Sequence, residues 1–254
     1  MNFELADSRV LGALRFIDAA TRLPVGHALR VESLEPAGVR FLRNRSGYYV
    51  LTHVPGLTAH TEAFASPPDT PPPGSMMVRL AVADPVEQYL PRLFALPLPR
   101  EREREPGNAD SLFRAVEVPM FPAPAAYIET GVAKLRVSIS GTRGGSTMGL
   151  GGALVRVLRK KGDAVPLARG LSDSRGEALV AVVGIPTMTW SDGNEEHAML
   201  SAGALVNLEL MFDPQAQGFP DPDRLDTLSS LLPETAVNLI AGQETIVSLK
   251  VALP

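Results

Sequence analysis

Four histidines, His27, His53, His60 and His197, are the first residues to weigh for chemistry. Histidine metal sites and general-base pairs use close, fixed spacings, such as two rings on one helical face, and no pair here has one. His53 and His60 flank the Val54-Pro55-Gly56 turn, which would bring them together across a hairpin, but no carboxylate pattern accompanies them. Two acidic loops carry oxygen ligands of the kind calcium takes. Asp192, Asn194 and Glu196 alternate in one, and Asp213, Asp221 and Asp223 crowd the other. Neither has the full calcium-loop pattern with its distal glutamate, and Asp213-Pro214 and Asp221-Pro222 are also ordinary turn starters. Gly144 and Gly149 share the outer spacing of a phosphate loop, yet Leu150 stands where that motif needs lysine. A G-x-S-x-G nucleophile elbow is missing, and with no cysteine there is neither a thiolate site nor a disulfide framework. The residues therefore assign no catalytic group, no cofactor and no metal, and the expectation is a chain that is not an enzyme.

The elements that would position any site are easier to read, because one segment occurs twice. Ala28-Leu29-Arg30-Val31 is followed by Asn44-Arg45-Ser46-Gly47-Tyr48-Tyr49-Val50-Leu51 and then Val54-Pro55-Gly56. Ala153-Leu154-Val155-Arg156 is followed by Asp173-Ser174-Arg175-Gly176-Glu177-Ala178-Leu179-Val180 and then Val183-Gly184-Ile185-Pro186. Two copies of one small β-unit are the simplest reading. The second copy is longer only in its connections, at Gly141 to Ser146 and Lys160 to Asp163, where length varies most freely.

Period-two alternation runs through the chain. Val78, Leu80 and Val82 share one face, as do Val206, Leu208, Leu210 and Phe212, and as do Val247, Leu249, Val251 and Leu253. Further strands are expected at 10–17, 28–33, 48–54, 132–140, 153–159 and 177–183. Helical signal is confined to Asp226 to Leu232, with Asp226 as N-cap and Pro233 closing it. Short strands with Gly/Pro punctuation predict an all-β chain of two tandem Ig-like or transthyretin-like sandwiches. The expected division is a first sandwich over 1–99, a charged, proline-rich linker over 100–124, and a second sandwich over 125–254. Ser66 to Ser75 reads as a stiff exposed loop of polyproline character.

The 254 residues suffice for two cores, and the composition, 45% hydrophobic and 20% charged, is globular. A net charge of −4 with scattered basic residues argues against a general nucleic-acid binder. The acidic Met1 to Asp7 start lacks a signal-peptide pattern, and no apolar run reaches the roughly 18 residues of a membrane span. The expectation is a cytoplasmic protein without membrane insertion.

The residues around Asp173 resemble the carboxypeptidase regulatory-like domain, a transthyretin-like sandwich related to pilin-type modules. The resemblance is carried by Gly152-Ala153-Leu154-Val155-Arg156-Val157, Leu171 to Leu179 with its D-x-x-G turn, and Val183-Gly184-Ile185-Pro186. The first copy departs from it, with Asn44 for the aspartate and no glycine before Ala28. Some pilin-type sandwiches join a first-strand lysine to a late asparagine, which makes Lys134 with Asn207 or Asn238 the pair to check. A second resemblance rests on Asn44 to Leu51, Pro55-Gly56-Leu57, Val82-Ala83-Asp84 and Tyr89-Leu90-Pro91-Arg92-Leu93-Phe94. These are similar to accessory proteins of phage-tail-like contractile injection systems, which implies a structural or adaptor subunit binding neighbouring particle proteins, with self-association also open. Tyr48, Tyr89, Phe94 and Trp190 are the candidate interaction anchors, since aromatics dominate interface energetics. The alternatives are a carbohydrate- or surface-binding module using Trp190 and the Ser191 to His197 loop, and a hydrolase whose site is split across loops.

Overall fold

The computed structural model describes residues 9–62, 68–102, 107–186, 189–190, 200–201 and 203–253. The first seven strands are β1 (Gly12–Asp18), β2 (Arg30–Glu35), β3 (Arg40–Arg43), β4 (Tyr49–His53), β5 (Met76–Ala83), β6 (Arg92–Leu98) and β7 (Val116–Met120), with one helical turn, α1 (Thr58–Glu62), between β4 and β5. The remainder are β8 (Ala133–Arg143), β9 (Ser146–Gly149), β10 (Leu154–Leu158), β11 (Ala168–Leu171), β12 (Glu177–Val182), β13 (Thr189–Trp190), β14 (Leu200–Ser201), β15 (Ala204–Met211), β16 (Thr235–Leu239) and β17 (Glu244–Ala252), with α2 (Pro222–Leu225) before β16. The fold is all-β, as the alternation predicts.

The chain divides into two compact units. One holds Met1–Ile17, Leu23–Pro85 and Leu93–Pro119; the other holds Asp18–Arg22, Val86–Arg92 and Met120–Pro254. In the first, the sheet β3-β4-β1-β7 packs on the sheet β2-β5-β6. Leu14, Phe16, Leu51 and Val118 from one sheet and Val78, Leu80, Val82 and Phe94 from the other are all buried. Phe16 meets Phe94 edge-to-face across the sheets, with ring centroids 6.1 Å apart. In the second, β12-β8-β17 packs on β11-β10-β15-β16 around Leu135, Val137, Val155, Val157, Val180 and Leu208.

The two units use almost the same strand order. The run β4-β1-β7 in the first matches β12-β8-β17 in the second, and β2-β5-β6 matches β10-β15-β16. They differ in one strand: β3 pairs with β4, whereas its counterpart β11 pairs with β10 in the opposite sheet. A residue-level difference accompanies the switch. A side chain at Gly170, three residues before Asp173, would meet Val180 Cγ2 at 2.4 Å, so the missing side chain lets β11 cross close to β12. Three residues before Asn44 the residue is Phe41.

The second unit also buries part of the outer face of the sheet β11-β10-β15-β16. Leu154, Leu171 and Met211 point away from the main core and pack with Phe121, Leu225, Ala19 and Leu90. That accounts for the nearly continuous burial of β10, as expected of a strand covered on both sides.

Three local expectations are corrected. The helix lies a turn earlier than Asp226: Asp221 is its N-cap, accepting from the N–H groups of Asp223 and Arg224, Pro222 occupies the first turn, and Asp226 is the C-cap. Proline fits the first helical turn, where an N–H would be unsatisfied, and this sets the start. The loop after Gly141 is a tight hairpin, with β9 pairing back on β8 from Ser140↔Gly149 to Arg143↔Ser146. Within the stretch read as linker, Val116 to Met120 form β7, where Val118 and Met120 are buried and the intervening residues are not.

Candidate functional site

Both copies of the repeat close on the same turn. In the first, the Asn44 Oδ1 accepts the Tyr48 N–H at 2.9 Å and the Gly47 N–H meets the Asn44 carbonyl at 3.1 Å. In the second, the Asp173 Oδ1 accepts the N–H groups of Arg175 and Glu177 at 2.9 and 3.0 Å, and the Gly176 N–H meets the Asp173 carbonyl at 3.0 Å. Gly47 and Gly176 both have positive φ, 83° and 86°, which glycine adopts without steric cost. Burial raises the Asp173 carboxyl, but the backbone N–H groups of Glu177 and Arg175 and the Arg175 guanidinium outweigh it and hold the group below its ordinary value. The turn is thus a structural use of a carboxylate.

The four aromatic anchors scatter. Tyr48 is half-buried, with the Arg15 guanidinium 5.4 Å from its ring centre. Its neighbour Tyr49 points inward, its hydroxyl accepting the Leu29 N–H at 2.6 Å and donating to the Leu29 carbonyl at 2.9 Å. Phe94 is buried against Phe16 and serves the core. Tyr89 is half-buried and its hydroxyl donates to Asp18 Oδ2 at 3.1 Å. Trp190 pairs with Leu200 in the β13–β14 ribbon, and its side chain lies outside the described residues. The Ser191 to His197 loop, with Asp192, Asn194, Glu196 and His197, lies outside them too.

The groups weighed for chemistry are likewise dispersed. His27 Nε2 lies 2.8 Å from the buried Asp84 carboxylate. His53 ends β4 and His60 sits buried in α1. Asp213 and Asp221 serve turns, accepting the N–H groups of Gln215 and Asp223. Among the described residues no three His, Asp or Glu side chains form a group able to hold a metal ion. Lys134 and Asn207 do not face each other: each alternates with core residues, on β8 and β15, so they project from the outer faces of opposite sheets. Packed sheets stand about 10 Å apart, which keeps such outer groups from bonding. Asn238 is exposed on β16 in the same sheet as Asn207.

What the structure does offer a partner is strand edge. β17 is a nine-residue strand running parallel to β8 in unbroken register from Glu244↔Lys134 to Ala252↔Thr142. It ends its sheet, so its other edge has no strand partner among the described residues. Two edge strands of the first unit, β2 and β3, are less regular, each carrying a register shift of the kind that twists an edge away from pairing. On its outer face β17 exposes Glu244, Ile246, Ser248 and Lys250, with Ile246 69% exposed. Arg136 donates to Glu244 at 3.1 Å and holds that carboxyl below its usual range. The alternation of the last strand was plain in the sequence, but its position at an open edge depends on pairing with β8, more than a hundred residues away.

No family model matches the chain, and no curated protein matches it. Two solved structures resemble it at low similarity. The minor pilin GBS52 of Streptococcus agalactiae is 9% identical over 96% of this chain and 97% of its own, with a TM-score of 0.30. The TIE protein of Bacillus anthracis is 10% identical over 99% of this chain and 41% of its own, with a TM-score of 0.27. Likenesses at this level carry no argument about function.

Proposed function

We propose that this chain is a non-enzymatic structural or adaptor protein that binds neighbouring protein subunits through strand edges. The observation that carries the reading is β17, a long edge strand in unbroken register with an exposed isoleucine on its outer face. An unpaired strand edge presents a row of N–H and C=O groups that a second chain can extend, with alternate side chains setting specificity. The setting we propose is a phage-tail-like contractile injection particle assembled in the cytoplasm, with tube, sheath, cap or baseplate proteins as neighbours. Its support is the motif resemblance from Asn44 to Phe94. The test is to replace Ile246 with aspartate and compare the size of the native assembly. The proposal expects Ile246→Asp to release the chain while leaving its fold intact; an unchanged assembly would remove β17 as the contact.

A further inference from the structure

One cleft on the first unit is lined by side chains far apart in sequence. Arg9 precedes β1, His60 lies in α1, and Arg100 and Arg102 follow β6, with Leu11 and Leu112 on the apolar side. It is small, with about 20 Å³ of free space, and is partly open to solvent. Two of the lining residues are left unsatisfied. His60 is 5% exposed and Arg100 6%, yet neither ring nitrogen of His60 nor Nε of Arg100 has a hydrogen-bond partner. A buried donor without a partner forfeits its hydration without recovering a bond, so orphans in one cleft ask for a ligand.

The rest of the cleft is already fixed. Arg100 Nη1 donates to Asp110 at 3.1 Å and Nη2 to the Ala109 carbonyl, which pins the guanidinium with Nε spare. Arg102 donates to the Pro68 carbonyl at 2.6 Å and to Asp69 at 3.3 Å. The Arg9 guanidinium has no ion-pair partner among the described residues. Among the described residues that line the cleft every ionisable side chain is basic, and the acids that pair with them, Asp110 and Asp69, have side chains 68% and fully exposed to screening water. Burial, then the charges of Arg102 and Arg9, push His60 below its ordinary pKa; the Pro71 carbonyl opposes them without the geometry of a hydrogen bond. A neutral imidazole still donates through one nitrogen.

We propose that the cleft among Arg9, His60, Arg100 and Arg102 is a binding site for a carboxylate. Two oxygens on one carbon match the spare Arg100 Nε–H, the His60 N–H and the Arg9 guanidinium, and charge-assisted bonds of this kind are the strong ones. The limited space favours a carboxylate over a bulkier phosphate ester, and Leu11 and Leu112 suit the carbon that bears it. The inference is independent of the strand-edge reading.

The test titrates sodium acetate, and separately inorganic phosphate, into the ¹⁵N-labelled full chain at constant ionic strength, following the His60 ring and Arg100 Nε–H signals by NMR. Acetate is expected to shift both saturably with millimolar affinity, and phosphate to act more weakly. Arg9→Gln, which removes a side chain with no ion-pair partner among the described residues, is expected to weaken acetate binding by about tenfold, near 1.4 kcal/mol. Arg45→Gln, an exposed arginine outside the cleft, is expected to change nothing. A peptide with a free C-terminal carboxylate should displace acetate, and its amide should not. Absence of saturable shifts, indifference to Arg9→Gln, phosphate binding as tight as acetate, or displacement by the amide would each overturn the proposal.

Discussion

Single side chains here do structural work that can be measured. Tyr49 satisfies both backbone groups of the buried Leu29, so Tyr49→Phe should cost about 1–3 kcal/mol in chemical denaturation, the range for stranding buried polar groups. Asp173 makes a pH-dependent contribution of known sign. Its folded-state pKa lies below the unfolded value of about 3.9, so its stabilisation is fully present above that value and disappears as pH falls through the folded one. Asp173→Asn should keep the turn, as Asn44 does in the first copy, while flattening the acid limb of the stability curve; an unchanged acid limb would contradict the assignment. At this scale the sequence disclosed the turns, because Asn44 to Gly47 and Asp173 to Gly176 are local patterns. It did not disclose which of two adjacent tyrosines turns inward, because Tyr48 and Tyr49 differ only by the register that pairing with β1 imposes.

Elements repeat in the two copies but sit in different surroundings. A Cβ at Gly47 would find only the tip of Arg43 at 3.8 Å, whereas one at Gly176 would meet the Ile139 carbonyl oxygen at 2.3 Å. Gly47→Ala should therefore cost about 1–2 kcal/mol from positive φ alone. Gly176→Ala should cost more than about 3 kcal/mol, the upper end for single substitutions; equal melting shifts would show that the turns are not differently packed. Ile246→Asp on β17 should change stability by no more than about 1 kcal/mol, the span of strand propensity, because the side chain is exposed. Under the strand-edge proposal its effect is on assembly. Strands with clean alternation, such as β5, β8 and β17, were legible from period two alone. β7 was not, since Glu117 and Pro119 interrupt an apolar set that only pairing with β1 explains. The start of α2 was hidden for a related reason: Asp221-Pro222 signals a turn and a helix cap equally well.

At the scale of the whole molecule, the shared strand order of the two units makes the sequence repeat physical, while the sheet switch between β3 and β11 marks where the copies diverge. The open edge and the cationic cleft were both invisible in the sequence for one reason. Residues 134 and 244, like residues 9, 60 and 100, become neighbours only through folding. If the chain works by joining other proteins, as proposed, gentle sedimentation of native lysate followed by cross-linking mass spectrometry will show it. All four lysines, Lys134, Lys160, Lys161 and Lys250, lie in the second unit, so lysine cross-linking should be combined with a carboxylate-reactive reagent to report on the first. On that proposal, migration with a large particle and cross-links from Lys250 and Glu244 on β17 to particle subunits are expected. Migration as a free 27.1 kDa protein without cross-links to other proteins would contradict it.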